Sequence, residues 1–204
     1  MFKIFLRAIF SISLTFTSAA AIFAQTEAMP AIQPSCEVSL HLIVGSNEAA
    51  KKGDIPENLN AIIKKLRSTF PFTNYRLANT LLGRISNDGS FEYKSVGDAF
   101  GQGSAGASQT FLEWSMNNFR TGPTAKGTPG FQAQGFRFGA RVPVTVGTRE
   151  ENGKMIPSIS YESIGLVLGK IGFAQTFPTL IGTIDMPGAD GTIFLVMTVR
   201  SADL

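Results

Sequence analysis

Between Gly130 and Gly147 the chain reads GFQAQGFRFGARVPVTVG, and from Phe136 onward it alternates. Phe136, Phe138, Ala140, Val142, Val144 and Val146 hold one parity, while Arg137, Gly139, Arg141, Pro143 and Thr145 hold the other. Successive side chains of a strand go to opposite faces, so this predicts one long strand with a dry face and a wet face. Glu37–Val44 alternates in the same way, with Val38, Leu40, Leu42 and Val44 against Ser39, His41 and Ile43. Asn74–Ile85, with a bend at Gly83, and Phe91–Val96 read as a pair of strands joined by the turn signal Asn87-Asp88-Gly89. In Thr110–Arg120, Leu112, Trp114 and Met116 are spaced as in a strand, while Phe111, Trp114 and Phe119 roughly fit a helix; we expect a strand. The Asn-Gly in Glu150–Lys154 predicts a hairpin tip, with Ile159–Leu168 returning from it. Two more strands, Phe173–Ile184 and Thr192–Arg200, flank the turn-rich DMPGADG. The last of these is largely apolar on both parities, which predicts a central place in its sheet.

One stretch has helical period. In IPENLNAIIKKLRSTF, residues Leu59, Ile62, Ile63, Leu66 and Phe70 make one apolar stripe. Pro56 suits a first turn, Asp54 is placed to cap it, and Pro71 stops it. Lys64, Lys65 and Arg67 lie off the stripe and read as a solvated face near the negative end of the helix. The expected fold class is therefore α+β, mostly antiparallel β: a sandwich or open barrel of about eight strands with one N-terminal amphipathic helix. Residues 37–204 are expected to form a single β-rich domain that opens with a strand–helix–strand unit over 37–85.

The first residues change the picture of where the chain works. Lys3 and Arg7 begin it, Ile9–Phe16 is apolar, and Ser18–Ala24 is mostly small. The apolar run is too short for a bilayer core that needs ~20 residues, so residues 1–24 read as a signal peptide cleaved after Ala24, or after Ala21. An uncleaved anchor helix is the alternative. Residues 25–36 then form a polar, proline-containing flexible terminus. This predicts a periplasmic or extracellular protein with no membrane span after cleavage.

Cleavage removes two of the 18 basic residues and none of the 15 acidic ones, which leaves 16 − 15 = +1 on 180 residues. So small a charge gives no footprint for nucleic acid and no basic cluster for a membrane surface. The single cysteine, Cys36, cannot form an internal disulfide, so packing must hold an exported fold together. Cys36 lies too far past the apolar run for lipid attachment and reads as a small apolar residue opening the first strand.

Candidate chemistry is sparse. His41 is the only histidine, and no Gly-x-Ser-x-Gly elbow accompanies it. One His and one Cys cannot build a structural zinc site. Asp185 and Asp190 flank a turn with spacing unlike a calcium loop. Glu92 and Glu162 lie on expected strands and are the pair that could face a groove as a glycosidase acid and base. Gly101, Gly103 and Gly106 match the dinucleotide fingerprint, but no strand leads into them and the surroundings are antiparallel, so they read as a flexible loop. Trp114 reads as a core or rim aromatic. We assign no catalytic, cofactor-binding or metal-binding residue, expect no cofactor, and expect a protein that is not an enzyme. The 17 Phe against 3 Tyr and 1 Trp point to a large apolar core or an apolar cavity rather than a sugar platform.

The C-terminal stretch GFAQTFPTLIGTIDMPGADGTIFLVMTVR resembles the closing hairpin of secretin-type outer-membrane proteins, in which a strand passes through a Gly-containing turn into a final apolar strand. FPFTNYRL, after the helix, is similar to a segment of uncharacterised exported bacterial proteins. The first resemblance implies an envelope location and an assembly role. The expected function is accordingly that of an exported, non-catalytic cell-envelope protein acting through protein–protein contacts, with an envelope protein or a second copy as partner. The alternative is a binder of a small apolar ligand or lipid in a β-cavity. A hydrolase using His41 or Glu92 and Glu162 is the third reading.

Overall fold

A computed structural model of the chain describes residues 35–47, 55–97, 109–124, 127–175, 177–186 and 191–202. The leader, the Asp54 cap, Asp190 and the Gly101–Gly106 loop lie outside the described residues.

The protein is mostly antiparallel β. Its strands are β1 (Ser35–Ser46), β2 (Asn74–Ser86), β3 (Phe91–Gly97), β4 (Thr110–Pro123), β5 (Pro129–Glu151), β6 (Lys154–Ala174), β7 (Thr179–Asp185) and β8 (Gly191–Ser201). They form two four-stranded sheets: sheet A in the order β2-β1-β8-β7 and sheet B in the order β3-β4-β5-β6. Every paired neighbour is antiparallel. The chain therefore meanders from each strand to the next and closes by pairing β8 with β1. The ladder is interrupted at two places, where β2 passes to β3 and β6 passes to β7.

At both interruptions a bulky side chain of sheet B lies over a glycine of sheet A. The Phe91 ring sits 3.3 Å from where a Cβ on Gly83 would stand, and Leu166 sits 2.5 Å from where one on Gly182 would stand. A glycine at each seam lets the sheets approach and exclude water where no backbone pairing joins them. The first seam is also tied at its end by the β2–β3 turn. The Asp88 N–H donates to the Phe119 carbonyl at 2.6 Å, and the Phe119 N–H donates to the Gly89 carbonyl at 3.0 Å. Asp88 takes the left-handed conformation there (φ 58°), as a short polar residue can.

The two sheets share one core, to which Leu40, Leu195 and Met197 contribute from sheet A and Trp114, Phe136 and Phe138 from sheet B. A helix, α1 (Asn60–Thr69), follows a 3₁₀ turn at Glu57–Leu59. Its Ile62, Ile63 and Leu66 are buried with Ile43, Phe194 and Val196, on the face of sheet A turned away from sheet B. Phe70 meets Phe194 edge-on at 4.7 Å. This explains why β8 is apolar on both parities: Leu195 and Met197 face the inter-sheet core, and Phe194 and Val196 face the helix side.

Three strand boundaries differ from the sequence expectation. The alternation of β5 runs through Val146, but the ladder bulges between Thr145 and Gly147, and Val146 is 64% exposed rather than on the dry face. The return strand starts at Lys154 rather than Ile159, because backbone pairing continues to a tight tip at Asn152 (φ 53°) and Gly153 (φ 76°). The stretch Phe173–Ile184 is not one strand: Phe173 and Ala174 end β6, and β7 begins at Thr179, just after Pro178, which has no N–H to give to a ladder.

Candidate functional site

Among the described residues, no helix or second sheet lies on the outer face of sheet B. Its register places Glu92, Ser115, Arg137 and Val167 in one row across the four strands. Lys94, Glu113, Gly139 and Gly165 form the next, and Val96, Phe111, Arg141 and Ser163 the third. The middle row has two glycines side by side, so the face is hollow there. A depression of about 480 Å³ opens over Gly139 and Ala140, walled by Val96, Phe111, Glu113 and Arg141. A second, of about 460 Å³, continues past Glu113 to Glu92, Ser115, Asn117 and Arg137. The Glu113 side chain lies across Gly139, with Oε1 3.0 Å from the position of an added Cβ, and so divides the two hollows.

The charged groups on this face are arranged in a definite way. Lys94 Nζ is 2.8 Å from Glu92 Oε1. Hydrogen bonding from Lys94 and then its charge hold the Glu92 carboxyl below the usual carboxylate range. Arg141 instead packs on aromatic rings, its guanidinium carbon 5.8 Å from the Phe111 centroid and 5.6 Å from that of Tyr161. The two rings are themselves 5.8 Å apart. Cation–π contact of this kind holds a long, otherwise mobile side chain in one place.

Beyond Val144 the last part of the β5–β6 ladder leaves the core. Pro143 pairs with Tyr161, Thr145 with Ile159, Thr148 with Pro157 and Glu150 with Met155. The result is a two-stranded ribbon with Tyr161, Ile159, Pro157 and Met155 on one face. Ile159, Met155 and Val146 are exposed large apolar side chains. Arg149 and Glu151 pair at 3.0 Å beside the tip.

The residues singled out in the sequence are not brought together. His41 is buried on the helix-side face of sheet A, its Nδ1 3.0 Å from Thr80 Oγ1 and its Nε2 3.5 Å from Thr198 Oγ1. Burial, and then the nearby Arg200 charge, lower its pKa and favour the neutral ring. Two threonine hydroxyls give it the contacts of a satisfied buried histidine. Glu92 and Glu162 are separated by the pleat. Glu92 is on the outer face, whereas Glu162 is paired with Val142 and shares the parity of the core residues Ile164 and Leu166. They do not flank one groove, so the acid–base pairing considered for them fails on register. Asp185 accepts a hydrogen bond from Thr192 Oγ1 at 3.0 Å across the β7–β8 pair. Cys36 is buried in β1, and burial raises its pKa, so it stays a thiol. Trp114 is fully buried in the inter-sheet core with Phe91 edge-on at 4.4 Å. Among the described residues no three His, Cys, Asp or Glu side chains cluster as metal ligands. None of the described helices is long and apolar enough to cross a membrane.

Phe111, Arg141 and Tyr161 were missed by the sequence reading. Parity placed Arg141 on a wet face, but only the register of three strands brings it to Phe111 and Tyr161. No family model matches this chain, and no curated protein matches it.

Proposed function

We propose that this is an exported, non-catalytic protein of the cell envelope that acts through protein–protein contact, within an assembly at the outer membrane. The β5–β6 ribbon carries the reading. Its β6 strand sets Tyr161, Ile159, Pro157 and Met155 along one face, no layer lies over them among the described residues, and such a two-stranded ribbon is marginal in water. Such a strand pair offers both an apolar face and a free backbone edge along β6, which suits strand addition by a partner. The leader-like residues 1–24 support export. The contacts of His41, a buried ring held between two threonine hydroxyls of its own sheet, support a non-catalytic role. The space between the sheets is occupied by Trp114, Phe136, Phe138 and their neighbours, which favours contact at the surface over a ligand held inside.

Site-specific photocrosslinking in intact envelopes tests this. A photoreactive residue in place of Met155 is expected to yield an adduct of defined mass, either with a second copy or with another envelope protein. The same residue in place of Lys64, on the exposed side of α1, is expected to yield none. No adduct from position 155, or the same adducts from both positions, would contradict the proposal.

A further inference from the structure

The three central rows of the outer face of sheet B hold two carboxylates, Glu92 and Glu113, against three cations, Lys94, Arg137 and Arg141. Lys94 is taken by Glu92. Glu113 and Arg137 act electrostatically on that same pair. Arg137 lines the second hollow, so Arg141 is the cation of the first hollow that Glu92 does not hold. Among the described residues it makes no ion pair and no side-chain hydrogen bond. Phe111 and Tyr161 hold it instead, and they occupy none of its N–H groups. A guanidinium donates only in its own plane, through a fork that matches the two oxygens of a carboxylate. Beside it lies the depression of about 480 Å³, bordered by Glu113 where that side chain lies across Gly139 and by Ser163 at the β6 side. Val96 and Phe111, both exposed, form its apolar wall.

We infer that this depression is a binding site for a carboxylate carried on a flat apolar body. Arg141 takes the carboxylate through paired N–H donors, with the Ser163 hydroxyl beside it. The apolar body lies against Phe111 and Val96, on the far side of the hollow from the Glu113 side chain that covers Gly139. One unbalanced positive charge suits a monoanion. A phosphate dianion in this hollow would meet Glu113, with Arg141 alone among the hollow's unpaired cations to offset it. The inference goes beyond the contact function proposed above and does not rest on it.

Calorimetric titration of the protein with 3-phenylpropionate, and with its neutral amide, tests the site. The acid is expected to bind at least about tenfold more tightly than the amide, the scale of a charge-assisted hydrogen-bond pair. Arg141→Gln is expected to abolish that preference. Arg141→Lys is expected to keep part of it, since the charge remains while the fork is lost. A short apolar peptide ending in Phe, with free or amidated C-terminus, separates the two sources of such a carboxylate. Tighter binding of the free-ended peptide than of the small acid assigns the site to a polypeptide terminus, and the reverse assigns it to a small free acid; both support the site. Equal binding of acid and amide, no binding of either, or a preference that survives Arg141→Gln with unchanged circular dichroism would overturn it. The double variant Met155→Asp/Ile159→Asp is expected to retain the preference, so failure of the ribbon contact and failure of the site are distinguishable.

Discussion

The β5–β6 ladder is one continuous antiparallel pair, yet its two halves live in different surroundings. In the proximal half, Phe136 and Phe138 are fully buried against sheet A. In the distal half, Val146 and Met155 are 64% and 66% exposed, although the backbone pairing continues to Glu151 and Lys154. Backbone pairing runs through both halves apart from the bulge at Val146, so the main difference is the layer beneath it. Proximal residues gain burial that stabilises by roughly 25 cal/mol per Å² of apolar surface, and distal residues gain none until something covers them. Backbone pairing extends a strand beyond its core, but burial decides which part contributes to stability and which part stays exposed.

Several substitutions would sharpen that contrast, beginning with the largest effect. Phe138→Ala is expected to cost about 3–5 kcal/mol in denaturant unfolding, from lost burial and an unfilled cavity. Ile159→Ala on the ribbon is expected to stay within about 0.5 kcal/mol. A cost for Ile159→Ala equal to that for Phe138→Ala would mean that the ribbon has a core of its own.

Two glycines of the same ladder make the next pair. A methyl at Gly165 would stand 2.5 Å from the Phe138 carbonyl, whereas one at Gly147 meets nothing within 4 Å. Gly165→Ala is expected to destabilise by about 1–3 kcal/mol. Gly147→Ala is expected to shift stability by no more than about 0.5 kcal/mol. Matching melting temperatures for the two variants would remove the distinction between the halves.

A smaller effect comes from His41, on the other sheet. Its pKa in the folded protein is lowered, first by burial and then by Arg200. The unfolded chain therefore takes up a proton at a higher pH than the folded one. Stability is complete above the ordinary histidine range near ~6.5 and declines as the pH falls through that value toward the folded pKa. His41 is the only histidine, so His41→Gln is expected to flatten the dependence of melting temperature between pH 7.5 and 5.5. A slope that survives the substitution would place it elsewhere.

The extent to which the chain could be read in advance follows the same division. Strand positions such as Glu37–Val44 and Phe136–Val142 were legible because each packs one parity against a core, and that leaves a period of two. The helix stripe at Leu59, Ile62, Ile63 and Leu66 was legible for the corresponding reason. Val146 was misplaced because it sits in a bulge on the part of the ladder where both faces are exposed, and alternation reveals neither beforehand. The break at residues 175–178 was marked only by Pro178. The seam pairs, Phe91 on Gly83 and Leu166 on Gly182, and the contact of Arg141 with Phe111 and Tyr161 depend on register between strands far apart in the chain. A single sequence carries no direct record of that register. The same is true of Glu92 and Glu162, whose residue types suited a catalytic pair while their positions on opposite faces did not.

The central claim is that the exposed half of the β5–β6 ladder is completed by another protein chain. Native mass spectrometry of the protein from gently extracted envelopes, beside the triple variant Val146→Asp/Met155→Asp/Ile159→Asp, tests it most directly. The expected result is a multiple of the chain mass, or the chain with a second protein, for the parent, and a bare monomer with unchanged circular dichroism for the variant. A parent that flies as a bare monomer, or a variant that keeps the parent's complex, would contradict the account.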